Sequence, residues 1–398
     1  MKSASAVIGA AYGDEGKGLF TDFLASQVDN PLVIRFNGGG QSSHTVVTPN
    51  YRHIFGHIGA GSLAGADTFL SEFFICNPII FRKEYEELKK KIGKIPKIYV
   101  DKNCLMTTPF DMIINQLLEI KRDNDRHSSC GIGFGETIER SQYSQFTLRP
   151  AIYRIKEILA NIFDTYVPFR FGILQLDFDE FEKSDFSKNI ENIIQHYLED
   201  VEYFLDHVII TDCDQLKSKF NRFVFEGAQG LGLDMVLGDF PYVTRSHTGL
   251  INILYLKDQL KINQLDIYHI FRTYLTRHGN GRLDNEVPES FFNIDEKTNK
   301  DNEWQGKFRY GVLDLNYLEY LIGSDLFLVD NKLDKVKLNI GVTYMDQVAD
   351  ILLVENNEII KIKKYEFIDK LKSKFKDSNL YFSYGNQRTD IKKGWINQ

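Results

Sequence analysis

Two carboxylates and an amine lie within four residues of a glycine-rich stretch near the start of the chain: Asp14, Glu15 and Lys17 in "YGDEGKGL". Glycines there free backbone N–H groups to point at an anion, and the dipole at the start of a following helix favours negative charge. The stretch departs from G-x-x-x-x-G-K-[ST] because Ala11 replaces the first glycine and Gly18 follows the lysine. The pattern predicts a phosphate site, and a tight strand-to-helix turn is the alternative.

The carboxylate of Asp14 can be explained in two chemical ways beside a phosphate site. It could bind the metal ion that neutralises the phosphates, or it could take a proton from a substrate. The structural alternative is an Asx-turn or a helix cap, which is the commoner role of an aspartate in a turn.

Further glycine loops carry polar side chains that suit the same chemistry. "NGGGQSSHT" ends in His44, which is an acid–base candidate because its unperturbed pKa lies near neutral pH. "SSCGIGFGE" (128–136) is another loop, and "FEGAQGLGLD" (225–234) holds Gln229 between small residues. "DNKLD" (330–334) is similar to the K-x-D pattern of GTP-binding proteins, whose carboxylate accepts hydrogen bonds from guanine N1–H and the 2-amino group. Several such loops favour one shared nucleotide site over unrelated turns.

Buried strands that stop in glycine loops and are followed by helices must position these residues. This alternation predicts an α/β fold with a large, central, mostly parallel sheet flanked by helices, and ligands at the carboxyl ends of the strands. We predict one domain over residues 1–398 with inserted helical segments at about 151–221, although the length would permit two domains. Predicted strands cover 5–10, 31–37, 222–230, 326–334, 337–344 and 380–388; predicted helices include 18–27, 84–93, 109–125 and 151–163.

Composition limits the class of protein. The formal net charge of −7 argues against non-specific nucleic-acid binding as the function, because neutralising phosphates needs a basic surface. No apolar run approaches the ~20 residues that span a bilayer, so no membrane association is expected. The four cysteines show no zinc-type spacing, which indicates free thiols and a cytoplasmic setting.

The order of the loops resembles that of the adenylosuccinate synthetase family. "YGDEGKGL" is similar to the family's W-G-D-E-G-K-G-K, "GGGQSSHT" to G-G-x-N-A-G-H-T, and "FEGAQG" with the later "DFPYVT" to F-E-G-A-Q-G and Y-P-Y-V-T. "TRHGNGR", "DNKLD" and "SYGNQR" are similar to T-R-V-G-x-G-P, T-K-L-D and S-T-G-P-x-R. The matches run from residue 7 to residue 388 in family order, and this ordered set carries the resemblance.

The resemblance implies a P-loop-like fold and a homodimeric, GTP-hydrolysing ligase of purine biosynthesis. In this family the γ-phosphate of GTP moves to the 6-oxygen of IMP, and the amine of aspartate then displaces it. By position, Asp14 would remove the purine N1 proton and bind Mg²⁺, and His44 would assist departure of the β-phosphate. Lys17 would hold phosphate, and Gln229 would contact the purine nucleotide.

The other implied roles are distributed over the motifs. GTP would be bound by Gly13, Glu15, Gly16, Lys17, Gly18, Lys332, Asp334, Ser383 and Gly385; the purine nucleotide by Gln41, Ser128, Arg140, Gln229 and Thr244; the amino acid by Lys307 and Arg309; and Mg²⁺ by Asp14 and the backbone carbonyl of Ser43. Arg140 is the candidate for the arginine that one subunit contributes to the nucleotide phosphate of its partner.

Departures from the family pattern leave the substrates open. Gln41 replaces an asparagine, and Ser42 and Ser43 replace Ala-Gly, which crowds the loop. "EWQGKFRYGVLD" lacks both threonines of T-T-G-R-x-R-R, so the amine could be aspartate or another amino acid. A phage branch acts on dGMP and tends to lose the aspartate at position 14, so Asp14 favours an IMP-like substrate. The alternatives are a non-catalytic GTP or purine-nucleotide sensor and, less well supported, a switch GTPase.

Overall fold

The computed structural model describes residues 1–127, 129–292, 294, 304–329 and 336–394. Strands and helices alternate along most of this length. The strands are β1 Ser3–Gly9, β2 Leu32–Arg35, β3 His44–Val47, β4 Arg52–Phe55, β5 Asp67–Leu70, β6 Ile75–Cys76, β7 Ile98–Asp101, β8 Leu105–Met106, β9 Ile209–Thr211, β10 Arg222–Glu226, β11 Gln264–Arg272, β12 Leu275–His278, β13 Glu286–Val287, β14 Phe308–Gly311, β15 Val336–Thr343, β16 Ile351–Glu355, β17 Glu358–Ile362, β18 Asn379–Ser383 and β19 Ile391–Lys393.

The helices flank the strands or connect them. They are α1 Lys17–Ser26, α2 Pro78–Ile92, α3 Pro109–Arg122, α4 Phe134–Ser141, α5 Ile155–Asn161, α6 Val167–Leu174, α7 Phe178–Lys183, α8 Asp185–Lys188, α9 Ile190–His207, α10 Cys213–Leu216, α11 Leu250–Leu260, α12 Leu315–Phe327 and α13 Lys364–Lys374. Helices α5 to α10 occupy the predicted helical segment at 151–221. The single-domain organisation stays a prediction.

A ten-stranded sheet forms the centre of the fold, in the order β19-β18-β15-β11-β1-β10-β2-β5-β7-β9. Its neighbouring strands pair in parallel except β18 and β19, which are antiparallel. The inner strands are apolar and buried on both faces, as is typical of a parallel sheet covered by helices. The predicted mostly parallel α/β architecture is confirmed.

The parallel arrangement brings the predicted loops to one edge of the sheet. β1, β2 and β10 are neighbours in register, and their carboxyl ends lead into the loops after residues 9, 35 and 226. β11 and β15 end beside them, at Arg272 and Thr343. Ligands of open α/β sheets bind at such an edge.

The strand predicted at 326–334 is wrong over residues 326–329, and residues 330–334 lie outside the described part of the chain. Leu326 and Phe327 belong to helix α12, which begins after an Asp314 cap. A short apolar run such as "LFLV" cannot be told from a helix end by periodicity alone, and here its first two residues end a helix that starts at Leu315. In the described residues no helix is both long and apolar enough to cross a bilayer.

The prediction that Arg140 reaches across a dimer interface is also wrong. Its side chain is fully buried, and its guanidinium binds both carboxylate oxygens of Asp111 at 2.8 and 2.9 Å. It also donates to the backbone carbonyls of Met106 and Phe146. The residue therefore ties α3 to α4 inside one chain.

Replacing Arg140 with alanine should destabilise the protein strongly. The change leaves the Asp111 carboxylate buried without its partner, which typically costs about 3–5 kcal/mol. Urea unfolding followed by circular dichroism measures the effect. The control is Arg82→Ala, which removes an exposed ion pair with Asp200 and should leave the midpoint nearly unchanged. Equal midpoints for both variants would contradict the structural role.

Candidate active site

The loops at the carboxyl edge of the sheet enclose a cavity of 1410 Å³. Pockets for one small ligand are roughly 300–1,000 Å³, so this volume can hold more than one. Most predicted site residues line it: Gly13, Asp14, Glu15, Gly16, Lys17, Gly18, Gln41, Ser43, His44, Gln229, Thr244 and Gly385. The structure therefore brings four separate glycine loops to one site.

Glu15 organises the first loop from within. Its Oε1 accepts hydrogen bonds from the backbone N–H groups of Ala11 and Gly13 at 3.1 and 2.8 Å, and its Oε2 lies 2.5 Å from Nζ of Lys17. Both charged side chains are buried. A carboxylate in this loop is thus compatible with an anion site, because it holds the loop closed and balances the lysine. The predicted GTP-binding role of Glu15 would act through the loop that it shapes.

Gly18 explains why the loop lacks the serine or threonine of a standard phosphate loop. A Cβ atom on this residue would lie 2.9 Å from Cβ of His44 and 3.2 Å from the backbone oxygen of Thr45. Helix α1 therefore packs directly against β3. A glycine before it, Gly16, caps the helix in the left-handed conformation with φ of 89°. The departure from the standard motif is what lets the histidine approach the lysine loop.

Asp14 is held in an uncommon backbone conformation at the cavity wall. Its φ is +59°, in the left-handed region that is rare for residues other than glycine. The Nε of Arg272 donates to its backbone carbonyl at 2.5 Å, and Nε2 of His278 lies 3.3 Å from its Oδ2. Burial alone would raise the pKa of Asp14, but His278, Arg272 and Lys17 outweigh it and lower the pKa to about 2. The carboxylate is therefore ionised and 30% exposed to the cavity.

Gln229 shares this unusual geometry. Its φ is +62°, and its Oε1 is buried with no hydrogen-bond partner among the residues that the structure describes. The preceding residue, Ala228, is bound on both backbone groups by the side-chain amide of Asn37, at 2.8 and 3.0 Å. The Gln229 loop is thereby locked to the loop that carries His44. A rigidly held, unpaired amide oxygen is available to a ligand donor.

His44 pairs with a buried carboxylate that the sequence analysis did not select. Its Nδ1 lies 2.5 Å from Oε1 of Glu226, whose Oε2 accepts from the backbone N–H of Ala60 at 2.9 Å. Burial lowers the pKa of His44, and Glu226 only partly opposes this. Although burial would raise the pKa of Glu226, Arg35 and His44 hold it below its ordinary value. The Glu226 carboxylate therefore stays charged. Nε2 is the ring nitrogen of His44 that can contact a ligand in the cavity.

Arg35 also accounts for a departure in the glycine loop. Its guanidinium donates to the hydroxyl of Ser42 at 2.9 Å and to the carbonyl of Gly56 at 2.6 Å. Ser42 in turn donates to the carbonyl of Gly39 at 2.7 Å. The extra hydroxyl therefore does not crowd the loop as expected, since it is satisfied inside it. The amide oxygen of Gln41 also folds back over Gly39.

Several predicted residues lie away from the cavity. Ser383 is buried and donates to the carbonyl of Gly385 at 2.6 Å, so its side chain holds that turn. Arg309 binds Glu286 and the carbonyls of Gly279 and Gly281, while Lys307 is exposed outside the cavity lining. The predicted roles of Ser128, Lys332 and Asp334 fall outside the described residues.

The residues that sequence reasoning missed are those that hold other site residues. Glu226 could have been found, because a glutamate in the buried strand pattern "FVFE" needs a charged partner. His278 could have been noticed as well, since it stands where the T-R-V-G-x-G-P motif has valine. Arg272 and Asn37 left no local signal: their partners are 258 and 191 residues away in the chain.

Comparisons with known proteins agree with this arrangement of loops. The profile of the adenylosuccinate synthetase family matches residues 6–382. An adenylosuccinate synthetase of Borrelia recurrentis is 27% identical over 381 residues, covering 90% of this chain and 84% of the relative. One from Picrophilus torridus is 29% identical over 376 residues, covering 92% and 83%.

Solved structures show the same fold. The fully ligated adenylosuccinate synthetase of Plasmodium falciparum superposes with a TM-score of 0.73 at 18% identity, covering 98% of this chain and 99% of that one. The succinoaminodeoxyadenylate synthetase of cyanophage S-2L, bound to dGMP and dATP, gives 0.63 at 13% identity, covering 99% and 95%. The chain therefore belongs to the adenylosuccinate synthetase family, a family of GTP-dependent ligases that form a carbon–nitrogen bond.

Proposed function

We propose that this protein joins L-aspartate to C6 of IMP at the expense of GTP, giving adenylosuccinate, GDP and phosphate. The observation that carries the proposal is the convergence of Asp14, His44 and Gln229, from three loops, on one cavity. In the first step the γ-phosphate of GTP passes to the purine 6-oxygen. In the second, the amine attacks C6 and phosphate leaves. Such transfers depend on positioning and on charge stabilisation.

Asp14 is suited to begin the first step. Its ionised carboxylate faces the cavity and can accept the N1 proton of the purine, which leaves negative charge on the 6-oxygen. The 6-oxygen then acts as the nucleophile toward the γ-phosphorus. Gln229 completes the purine contact through the side-chain amide that its fixed loop presents.

His44 is suited to protonate the leaving group of the same step, which is the β-phosphate of GDP. Because Nδ1 of His44 contacts Glu226, the proton that His44 would donate is the one on Nε2. A buried, ionised glutamate stabilises the imidazolium form and orients the ring, as carboxylates do beside catalytic histidines. Nε2–H can then donate to the β-phosphate oxygen as its bond to the γ-phosphorus breaks. Lys17, beside it, adds positive charge near the phosphates.

The donor set also fits Mg²⁺. Asp14 supplies one exposed carboxylate and Ser43 a backbone carbonyl, and hard oxygen ligands of this kind suit a small divalent cation. The described residues contain no cluster of three acidic, histidine or cysteine side chains. This agrees with an ion that takes most of its ligands from substrate phosphates and water. When bound, Mg²⁺ would neutralise phosphate charge.

The choice of amine substrate depends on the loop that carries Arg309. Aspartate is the family substrate, but the described position of Arg309 commits its guanidinium to Glu286 and two carbonyls. Another amino acid, or a dGMP-like purine, is the alternative. A non-catalytic nucleotide sensor is opposed by the retained acid–base pair, since binding alone requires neither Asp14 nor the His44–Glu226 contact.

We also propose a homodimer in the cytoplasm. Large apolar side chains are exposed beside the cavity loops and on the helical segment, which suits a protein interface: Phe240, Tyr153, Phe169 and Ile173. The four cysteines are free, and free thiols are usual for proteins of a reducing compartment.

An amine screen tests the proposed reaction directly. Protein, IMP, GTP and Mg²⁺ are incubated with each of the twenty amino acids, and phosphate release is measured. We expect aspartate to give the highest rate and a product with the mass of adenylosuccinate. If phosphate is released with a different amino acid and not with aspartate, that amino acid is the substrate in place of aspartate. Tight GTP binding without release with any amine would support the sensor.

Substituting Asp14 or His44 should remove most turnover but little GTP affinity. Asp14→Asn keeps the size of the side chain and loses the proton acceptor, and His44→Ala loses the proton donor. Each should lower kcat by about 10²–10⁴-fold, the usual contribution of an acid or base. His196→Ala, at an exposed position on α9, is the matched control. Near-normal rates in either active-site variant would contradict its role.

Glu226→Gln should shift the pH profile in a predictable direction. Glu226 raises the pKa of His44, so its removal lowers that pKa further. Because the protonated form of His44 acts as the acid, activity is lost as pH rises through the pKa. The basic limb of kcat/KM should therefore move to lower pH in the variant. An unmoved limb, or a shift to higher pH, would argue against proton donation by His44.

A further inference from the structure

The acceptor nucleotide brings a 5′-phosphate that needs a positively charged partner. A phosphate monoester carries a charge of about −1.5 to −2 at pH 7. The family resemblance assigns this contact to an arginine of the partner subunit, but the candidate, Arg140, is buried against Asp111 inside its own chain. The phosphate therefore requires a different cation.

Arg245 lies where such a cation is needed. It directly follows Thr244, the predicted nucleotide contact, and both residues line the cavity. The backbone N–H of Thr244 donates to the carbonyl of Leu233 at 2.8 Å. The carbonyl of Ser246 accepts from the N–H of Met235 at 3.3 Å. These bonds to the neighbouring loop fix the backbone on both sides of Arg245.

The side chain of Arg245 reaches the glycine loop at 128–136, whose Ser128 the resemblance assigns to the purine nucleotide. A Cβ atom on Gly135 would lie 3.6 Å from Cδ of Arg245 and 3.8 Å from its Nε. Gly135 lies in the first turn of α4 and also lines the cavity. Because the arginine side chain is 48% exposed, its guanidinium can contact a ligand beside this loop.

Three other arginines that line the cavity are committed to groups of the protein. Arg170 binds both carboxylate oxygens of Glu136, at 2.7 and 2.9 Å. Arg277 is buried and donates to three backbone carbonyls. Arg272 donates to a backbone carbonyl of the first glycine loop. These guanidinium groups are less available to a ligand than that of Arg245.

A single carboxylate holds the guanidinium of Arg245 beside the cavity. Oε1 of Glu139, on α4, contacts Nη1 of Arg245, and Oε2 of Glu139 lies 3.8 Å from Nη1 of Arg170. Ion pairs between partly exposed side chains contribute little to stability. A phosphate carries more charge than a carboxylate, and its oxygens match the guanidinium fork, so it can displace Glu139.

We propose that Arg245 binds the 5′-phosphate of the acceptor nucleotide, from within the same chain that provides Asp14 and His44. Arg245 then replaces the partner's arginine that the resemblance implies, and Glu139 pairs with the guanidinium until the nucleotide binds. The inference rests on the proposed function, because it places the purine nucleotide in this cavity. It concerns substrate binding and leaves the acid–base steps unchanged.

Binding of IMP and inosine to the full-length protein tests the assignment, because inosine is the same nucleoside without the phosphate. Affinities are measured by calorimetry in saturating GDP, which fills the guanine nucleotide site. For Arg245→Ala we expect the Kd of IMP to rise by about 10–100-fold, the effect of losing hydrogen bonds to a charged group, and the Kd of inosine to stay unchanged. Arg245→Lys should lie between, since lysine keeps the charge but lacks the planar fork.

Glu139→Gln separates a ligand contact from a structural ion pair. The variant keeps the size of the side chain and removes the competing charge, so IMP should bind as tightly as to wild type or up to about 5-fold more tightly. Arg154→Ala, at an exposed position before α5, is the control for the loss of a positive charge. If Glu139→Gln weakens IMP binding as much as Arg245→Ala does, the inference is overturned.

Co-expression of Arg245→Ala with Asp14→Asn tests whether the contact lies within one chain. In a mixed dimer, an arginine acting across the interface would restore one complete site, whereas one acting within its own chain would restore none. We expect no recovery of the wild-type KM for IMP, and recovery would overturn the within-chain assignment. An unchanged Kd of IMP in Arg245→Ala would overturn the inference alone. Wild-type protein that binds no IMP would overturn the proposed function together with it.

Discussion

The contact between Glu226 and His44 is the interaction on which the site depends. A carboxylate buried between parallel strands loses its hydration, a cost of several kcal/mol unless it is paired. Here the backbone N–H of Ala60 and the imidazole of His44 bind the carboxylate, and the positive charge of Arg35 in the adjacent strand holds its pKa low. Because the negative charge of Glu226 needs a partner, the glycine loop after β2 folds back to the sheet. This places His44 at the cavity.

In the phosphate loop, too, a buried charge is balanced by groups of the protein itself. Glu15 occupies the backbone donors of its own loop and balances Lys17, so the loop keeps its shape without a ligand. Asp14, the next residue back, is then free to face outward, with its backbone fixed by Arg272. The two adjacent acids thus do different work: one builds the loop and one faces the substrate. The same contacts hold Asp14 and Gln229 in left-handed backbone conformations, and such conformations cluster at functional sites.

Much of the fold and many loop residues could be predicted from the sequence, because buried strands ending in glycines specify a parallel sheet and its ligand edge. The strand proposed at 326–334 failed at its first residues, where a short apolar run joined a helix instead. Arg140 failed because position in a motif does not reveal burial, and Asp111, its partner, carries no special signal. Arg272 and Asn37 act on other site residues through contacts 258 and 191 residues away in the chain, which no local pattern contains.

Isotope scrambling in GTP tests the central claim most directly. GTP labelled with ¹⁸O in the β–γ bridge is incubated with IMP and Mg²⁺ in the absence of any amino acid. If Asp14 and His44 act on one phosphoryl group that moves to the 6-oxygen, the label should spread to non-bridging β-phosphate oxygens only when IMP is present, and Asp14→Asn and His44→Ala should abolish it. If active wild-type enzyme shows no scrambling, or if both variants scramble the label as fast as wild type does, phosphoryl transfer at this site is contradicted.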